Sequence, residues 1–118
     1  MKNILIVDDQ PLLLDGLAHV LKTETTMVTT TETGKVALAE IASSFYDLCF
    51  LDISLPDVNG VDLLNRFKEL SPATKVIMMT AGTITDGMQE SIEKNAYMFI
   101  TKPFDLLQVK MLAKRVLE

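Results

Sequence analysis

The stretch Ile4-Leu5-Ile6-Val7-Asp8-Asp9-Gln10-Pro11 decides how this chain reads. Four apolar residues stop abruptly at two aspartates, and a proline follows where the first turn of a helix can accept it. A short run that is apolar at every position fits a parallel strand covered by helices on both faces. It is too short for the core of a signal peptide. Leu48–Leu51 and Val76–Met79 have the same character. Met27–Thr31 is half polar and Met98–Thr101 is mixed, so both suit the edges of a sheet.

Helix-like spacing fills the gaps. Leu13, Leu17, Val20 and Leu21 form one apolar stripe, and Val36, Leu38, Ala39, Ile41 and Ala42 a second. Val61, Leu64, Phe67 and Leu70 form a third, ended by Ser71-Pro72. The last begins at Asp105, with Gln108 three residues on as in a capping box, and runs through Leu106, Val109, Leu112, Ala113 and Val116. Thr83–Lys94 is the weakest helix, with only Ile84, Met88 and Ile92 as large apolar residues and Gly82 and Gly87 in or beside it. Alternating strands and helices imply an α/β domain with a parallel sheet. With the second and fifth strands at the edges, the order is 2-1-3-4-5, a doubly wound, flavodoxin-like (βα)5 arrangement.

The 118 residues suit one domain spanning 1–118, and 48% hydrophobic residues are enough for one core and too many for a disordered chain. Eleven Lys and Arg against 16 Asp and Glu leave a net charge of −5. That acidity argues against direct nucleic-acid binding, which needs clustered cations. No run approaches the ~18 apolar residues of a membrane span. A single cysteine, Cys49, cannot pair internally and suits a reducing, cytoplasmic setting; it reads as a small packed residue inside a buried strand. His19, the one histidine, sits among charged and apolar residues and reads as an exposed or partly packed residue of the first helix.

In open α/β sheets, ligands bind beyond the carboxyl ends of the strands at the topological switch point. Asp8 and Asp9 follow the first run, Asp52 the third, Thr80 and Ala81 the fourth, and Lys102-Pro103 come at the end of the fifth. The proposed order makes the first and third strands neighbours, so the three carboxylates meet in one crevice. Such a cluster either takes up protons or holds a cation. A hard divalent ion with oxygen ligands fits, and Mg²⁺ is the natural candidate. Carboxylates, Mg²⁺, a lysine and a hydroxyl are together what phosphoryl transfer needs. Asp52, alone at the end of a central strand, is the candidate nucleophile, and Asp8-Asp9 the metal holder. Each residue also has a plainer reading. Asp9 could cap the following helix. Asp52 could be a solvated strand end, and Thr80 a polar residue leaving a strand. Lys102-Pro103 could be turn chemistry, and Asp57–Gly60 reads as a turn in which Asn59-Gly60 favours positive φ. The shared placement of the strand-end residues favours a site.

These residues resemble the receiver domain of bacterial two-component response regulators, the CheY-like family, across essentially the whole chain. The motifs are Ile-Val-Asp-Asp at 6–9, Asp52 with Pro56 and Gly60 beyond it, Thr80-Ala81, and Lys102-Pro103-Phe104. The resemblance implies that Asp52 accepts a phosphoryl group from the phosphohistidine of a sensor histidine kinase. It implies Mg²⁺ held by Asp8, Asp9 and Asp52 with the backbone carbonyl of Ser54, directly or through water. Thr80, Lys102 and the Ala81 amide would contact the phosphoryl oxygens, and the Lys102–Pro103 bond would be cis. Phe99 resembles the switch aromatic that moves inward as Thr80 turns, after which the fourth helix, last strand and last helix would present an altered surface. An effector domain outside this chain and a phosphorylation-linked homodimer are compatible with the resemblance.

Some positions depart from the family pattern. Phe99 lacks the hydroxyl of the commoner tyrosine. Asn95-Ala96 replaces a usual Gly-Ala, and Asn tolerates the left-handed conformation expected there. Ser54 and Gly82 are both small, so no exceptional phosphoryl lifetime is expected. Three rival readings have less support. A Mg²⁺-dependent phosphatase with its aspartate nucleophile after the first strand would use Asp-x-Asp, whereas Asp8 and Asp9 are adjacent, and 118 residues leave little room for a substrate cap. A flavin carrier would need a phosphate loop where Asp8-Asp9-Gln10-Pro11 is acidic. A phosphate-independent interaction module has no need of the intact acidic pair, acceptor, threonine and lysine.

Overall fold

The computed structural model describes residues 1–82 and 84–118. Five strands alternate with five helices: β1 (Lys2–Val7), α1 (Pro11–Leu21), β2 (Thr26–Thr31), α2 (Gly34–Ser43), β3 (Leu48–Asp52), α3 (Gly60–Leu70), β4 (Lys75–Thr80), α4 (Asp86–Asn95), β5 (Met98–Thr101) and α5 (Leu106–Leu117). The strands form one sheet in the order β2-β1-β3-β4-β5, and every neighbouring pair is parallel. The expected fold and both edge assignments hold. β1 begins two residues before the apolar run, because backbone pairing with β2 extends to Lys2 and Asn3 opposite Thr26 and Met27.

Two apolar layers sandwich the sheet. Leu5, Val7, Cys49, Leu51, Val76 and Met78 face α2, α3 and the single buried residue of α4, Ile92. Alternate residues Ile4, Ile6, Leu48, Phe50, Ile77 and Met79 face α1 and α5. The period-2 alternation of strand side chains therefore fills both cores from the same three runs. Cys49 is fully buried, which pushes its thiol pKa far up, in keeping with a packing role. His19 is exposed on α1.

Several local expectations are corrected. α2 buries Gly34, Ala37 and Ile41, while Val36, Ala39 and Ala42 are exposed. Leu70 is also largely exposed. Asp9 does not cap α1: Gln10 holds the cap position, and its N–H donates to Asp8 Oδ1 at 2.9 Å. Neither Asn59 nor Gly60 has positive φ, and Asn59 instead caps α3 by accepting the Val61 N–H at 2.8 Å. Asn95 is likewise not left-handed; the chain leaves α4 through an extended Ala96. α4 begins at Asp86 with Thr85 as its cap, and Thr83, where the sequence reading starts this helix, lies outside the described residues. Asp105 does cap α5, accepting the Leu107 N–H at 2.8 Å.

Candidate phosphoryl-transfer site

The register explains why the site residues converge. Val7 lies opposite Leu51 in β1–β3, so Asp8 emerges beside Asp52. Thr80 lies opposite Thr101 in β4–β5, and the Lys102 N–H donates to the Thr80 carbonyl at 2.7 Å. All four side chains therefore leave the sheet at one rim. Asp8, Asp9 and Asp52 each present a carboxylate oxygen within 4.8 Å of the others. Asp8 is 0% and Asp52 3% exposed, while Asp9 is exposed.

Lys102 crosses from the far side of this cluster. Its Nζ lies 2.6 Å from Asp8 Oδ2 and 3.4 Å from Asp52 Oδ2, with the side chain 13% exposed. Asp52 Oδ1 accepts the Ser54 N–H at 3.2 Å. Burial pushes the Asp52 carboxyl above its ordinary range, and the charge of Asp8 pushes the same way. The Ser54 amide and the Lys102 ammonium oppose them. Three carboxylates facing one ammonium leave an excess of negative charge, which is the donor set a hard divalent cation requires. The exposed Asp9 leaves room for the water ligands that Mg²⁺ retains.

Thr80 is 4% exposed, and its Oγ1 donates to the Gly82 carbonyl at 3.2 Å and stands 3.4 Å from the Gly82 N–H. Ala81 is exposed and lines one surface depression with Lys102. Phe99 is 43% exposed on β5. The Lys102–Pro103 peptide is cis. Asp8, the residue a first-strand phosphatase nucleophile would require, is buried against Lys102 and the Gln10 amide.

Sequence reasoning missed the way the loop after Asp52 is held. The chain from Ile53 to Gly60 folds back, with the Gly60 N–H donating to the Ile53 carbonyl at 2.8 Å and a bridge between Ser54 and Asn59. A Cβ on Gly60 would strike the Asp52 carbonyl and lie 2.8 Å from the Ile53 carbonyl, so glycine is needed for close approach rather than for φ. Asp57, read as a turn residue, reaches the start of α2 and accepts the Gly34 N–H at 2.9 Å and the Lys35 N–H at 3.0 Å. These two bonds hold its carboxyl below the ordinary range. The pattern Asp-x-x-Gly at 57–60 carried a turn signal but no sign of this contact.

Known proteins share this fold. A family model described as the response regulator receiver domain matches residues 4–114. Sporulation initiation phosphotransferase F of Bacillus subtilis is 34% identical over 116 residues, covering 98% of this chain and 94% of that protein. The probable transcriptional regulatory protein TcrX of Mycobacterium tuberculosis is 28% identical, and the match covers 98% of this chain but 49% of TcrX. The chain thus spans about half or less of the transcriptional regulators it matches. Among solved structures, a CheY-like receiver domain protein from Methanospirillum hungatei superposes with a TM-score of 0.89 at 30% identity, covering 98% of this chain and 94% of that one. A receiver domain described as BeF3-activated, that of DrrB, gives 0.88 at 29% identity, covering 99% and 97%. Receivers are signalling switches phosphorylated on an aspartate, they generally bind Mg²⁺ at an acidic pocket, and response regulators take their phosphoryl groups from histidine kinases. By its family match and by its relatives, the chain belongs to the receiver domains of two-component response regulators.

Proposed function

We propose that residues 1–118 act as one receiver domain in which Asp52 is the phosphoacceptor. The observation that carries this reading is Lys102 Nζ set 2.6 Å from Asp8 and 3.4 Å from Asp52 at the rim of the sheet. Asp8, Asp9 and Asp52 with the Ser54 carbonyl would hold Mg²⁺, which neutralises charge on the phosphoryl oxygens when bound. A carboxylate oxygen of Asp52 attacks phosphorus of a kinase phosphohistidine. The P–N bond breaks, and the imidazole leaves with its electron pair. Lys102 then pairs with a phosphoryl oxygen, and the Ala81 N–H and the Thr80 hydroxyl donate to others.

The phosphoryl group replaces the single charge of the Asp52 carboxylate with about −2 spread over three strong acceptor oxygens. It draws Thr80 from its bond with the Gly82 carbonyl, and Phe99 turns inward into the vacated space. Only the contacts that differ between the two states drive this change. The readout surface is α4, β5 and α5. A kinase is the phosphoryl donor, and an effector domain like those carried by longer relatives is the natural partner. Phosphorylation-linked homodimerisation, no direct nucleic-acid contact and a cytoplasmic setting complete the reading; among the described residues no helix is long and apolar enough to cross a membrane. The small side chains at Ser54 and Gly82 leave water access to the adduct, giving an ordinary phosphoryl lifetime.

Beryllofluoride titration followed by amide NMR tests this. Saturable shifts at Ala81 and Phe99 are expected with Mg²⁺ and not after Asp52→Asn. Equal shifts in that variant would overturn the assignment.

A further inference from the structure

Asp57 lies five residues beyond Asp52 and is exposed, yet its carboxylate makes two hydrogen bonds to backbone more than 20 residues away in sequence. Both bonds end on the first turn of α2, where Gly34 and Lys35 present N–H groups that have no partner within the helix. Thr33 already caps this helix, accepting the Val36 N–H at 3.3 Å. Asp57 therefore supplies a second, tertiary cap. The adjacent side chain reinforces it: a Cβ on Gly34 would collide with Cγ1 of Val58, so the valine sits in the notch the glycine leaves. On the other side of Asp57, the same short loop carries Ser54, whose N–H donates to Asp52. The loop is pinned at one end by Gly60 against the backbone of Asp52 and Ile53, and in its middle by Asp57 and Val58 against α2.

We propose that Asp57 is a positioning residue for the cation and acceptor site: by clamping the β3–α3 loop to the first turn of α2, it fixes the Ser54 backbone beside Asp52. This rests on the phosphoacceptor reading above. The low carboxyl pKa of Asp57 agrees with a clamp that stays charged at neutral pH. Because α2 shares the clamp, cation binding at the rim should tighten the first turn of α2 as well, at a distance from the α4–β5–α5 surface.

The test uses the whole chain with Mg²⁺ alone as the probe. Hydrogen exchange at the Gly34 and Lys35 amides reads the clamp, and isothermal titration reads cation affinity. Asp57→Ala should lose protection at both amides and weaken Mg²⁺ binding about tenfold, the lower end of what outer partners of metal ligands contribute. Asp57→Asn, which keeps one acceptor oxygen, should fall between that variant and the wild type. In the wild type, Mg²⁺ should increase protection at Gly34 and Lys35. Lost protection in Asp57→Ala with unchanged Mg²⁺ affinity would reduce Asp57 to a helix cap and overturn the proposal alone. A wild type that takes up no Mg²⁺ would overturn both this proposal and the site it serves.

Discussion

The rim of the sheet has two sides built in opposite ways. On the β3–α3 side, the loop is held by Gly60 packed against backbone, by the Asn59 cap, and by Asp57 and Val58 docked on α2. α3 buries Gly60, Val61, Leu63, Leu64 and Phe67. On the β4–α4 side, Gly82 and Gly87 have open space where a Cβ would stand, and α4 buries only Ile92. None of the four β5 residues is fully buried. Asn95 Nδ2 donating to Asn65 Oδ1 at 2.8 Å is a thin polar tie from α4 back to α3. Elements with few buried apolar contacts open at low free energy. The contrast suits the proposed switch: Asp52 and the loop that follows it sit on the rigid side, whereas Thr80, Ala81 and Phe99, the groups that would respond, sit on the loosely packed side.

The difference can be broken most forcefully at Gly60. Gly60→Ala should cost about 3 kcal/mol, the upper range for overpacking, because backbone rather than a flexible side chain stands in the way. Urea denaturation reads it, and a loss below ~1 kcal/mol would show that this side is softer than described. Next is Lys102→Ala, which removes the cation facing Asp8 and Asp52. Phosphorylation from acetyl phosphate should slow about 10²-fold, as when one transition-state donor is deleted. Quenched-flow labelling checks this, and a wild-type rate would remove Lys102 from the chemistry.

On the loose side, Gly87→Ala should stabilise by about 0.5–1 kcal/mol, since the helix gains propensity and nothing obstructs the methyl group. Mg²⁺ affinity should stay unchanged. Destabilisation would mean that α4 packs more tightly than its burial indicates.

The smallest effect concerns charge. Burial and Asp8 raise the Asp52 pKa in the folded state. The native state therefore binds more protons than the unfolded chain in the interval between the two pKa values, and stability falls as pH rises through it. In chelator at pH 7, Asp52→Asn should have a higher thermal midpoint than the wild type. The gain should shrink toward about pH 4, where the unfolded carboxyl also protonates. A gain independent of pH would point to packing instead.

Much of this could be read from the sequence because the strands leave little ambiguity. Ile4–Val7, Leu48–Leu51 and Val76–Met79 are buried on both faces, so no periodicity had to be resolved, and their last residues deliver Asp8, Asp52 and Thr80 to one rim. α2 was harder: its sequence is rich in alanine, which gives a weak apolar stripe, and Val36 turned out to face solvent. Asn59-Gly60 misled because residue identity suggests φ, whereas the glycine is required by the approach of Asp52 and Ile53. Asp57 could not be placed because its partners, Gly34 and Lys35, lie more than 20 residues earlier and offer only backbone.

Intact-mass analysis after acetyl phosphate and Mg²⁺, run beside Asp52→Asn and with beryllofluoride binding as a control for rapid loss of the adduct, addresses the central claim most directly. The account predicts one phosphoryl adduct on the wild type, none on the variant, and none on the wild type in chelator. An adduct of equal yield on Asp52→Asn, or a wild type that neither gains mass nor binds beryllofluoride, would contradict it.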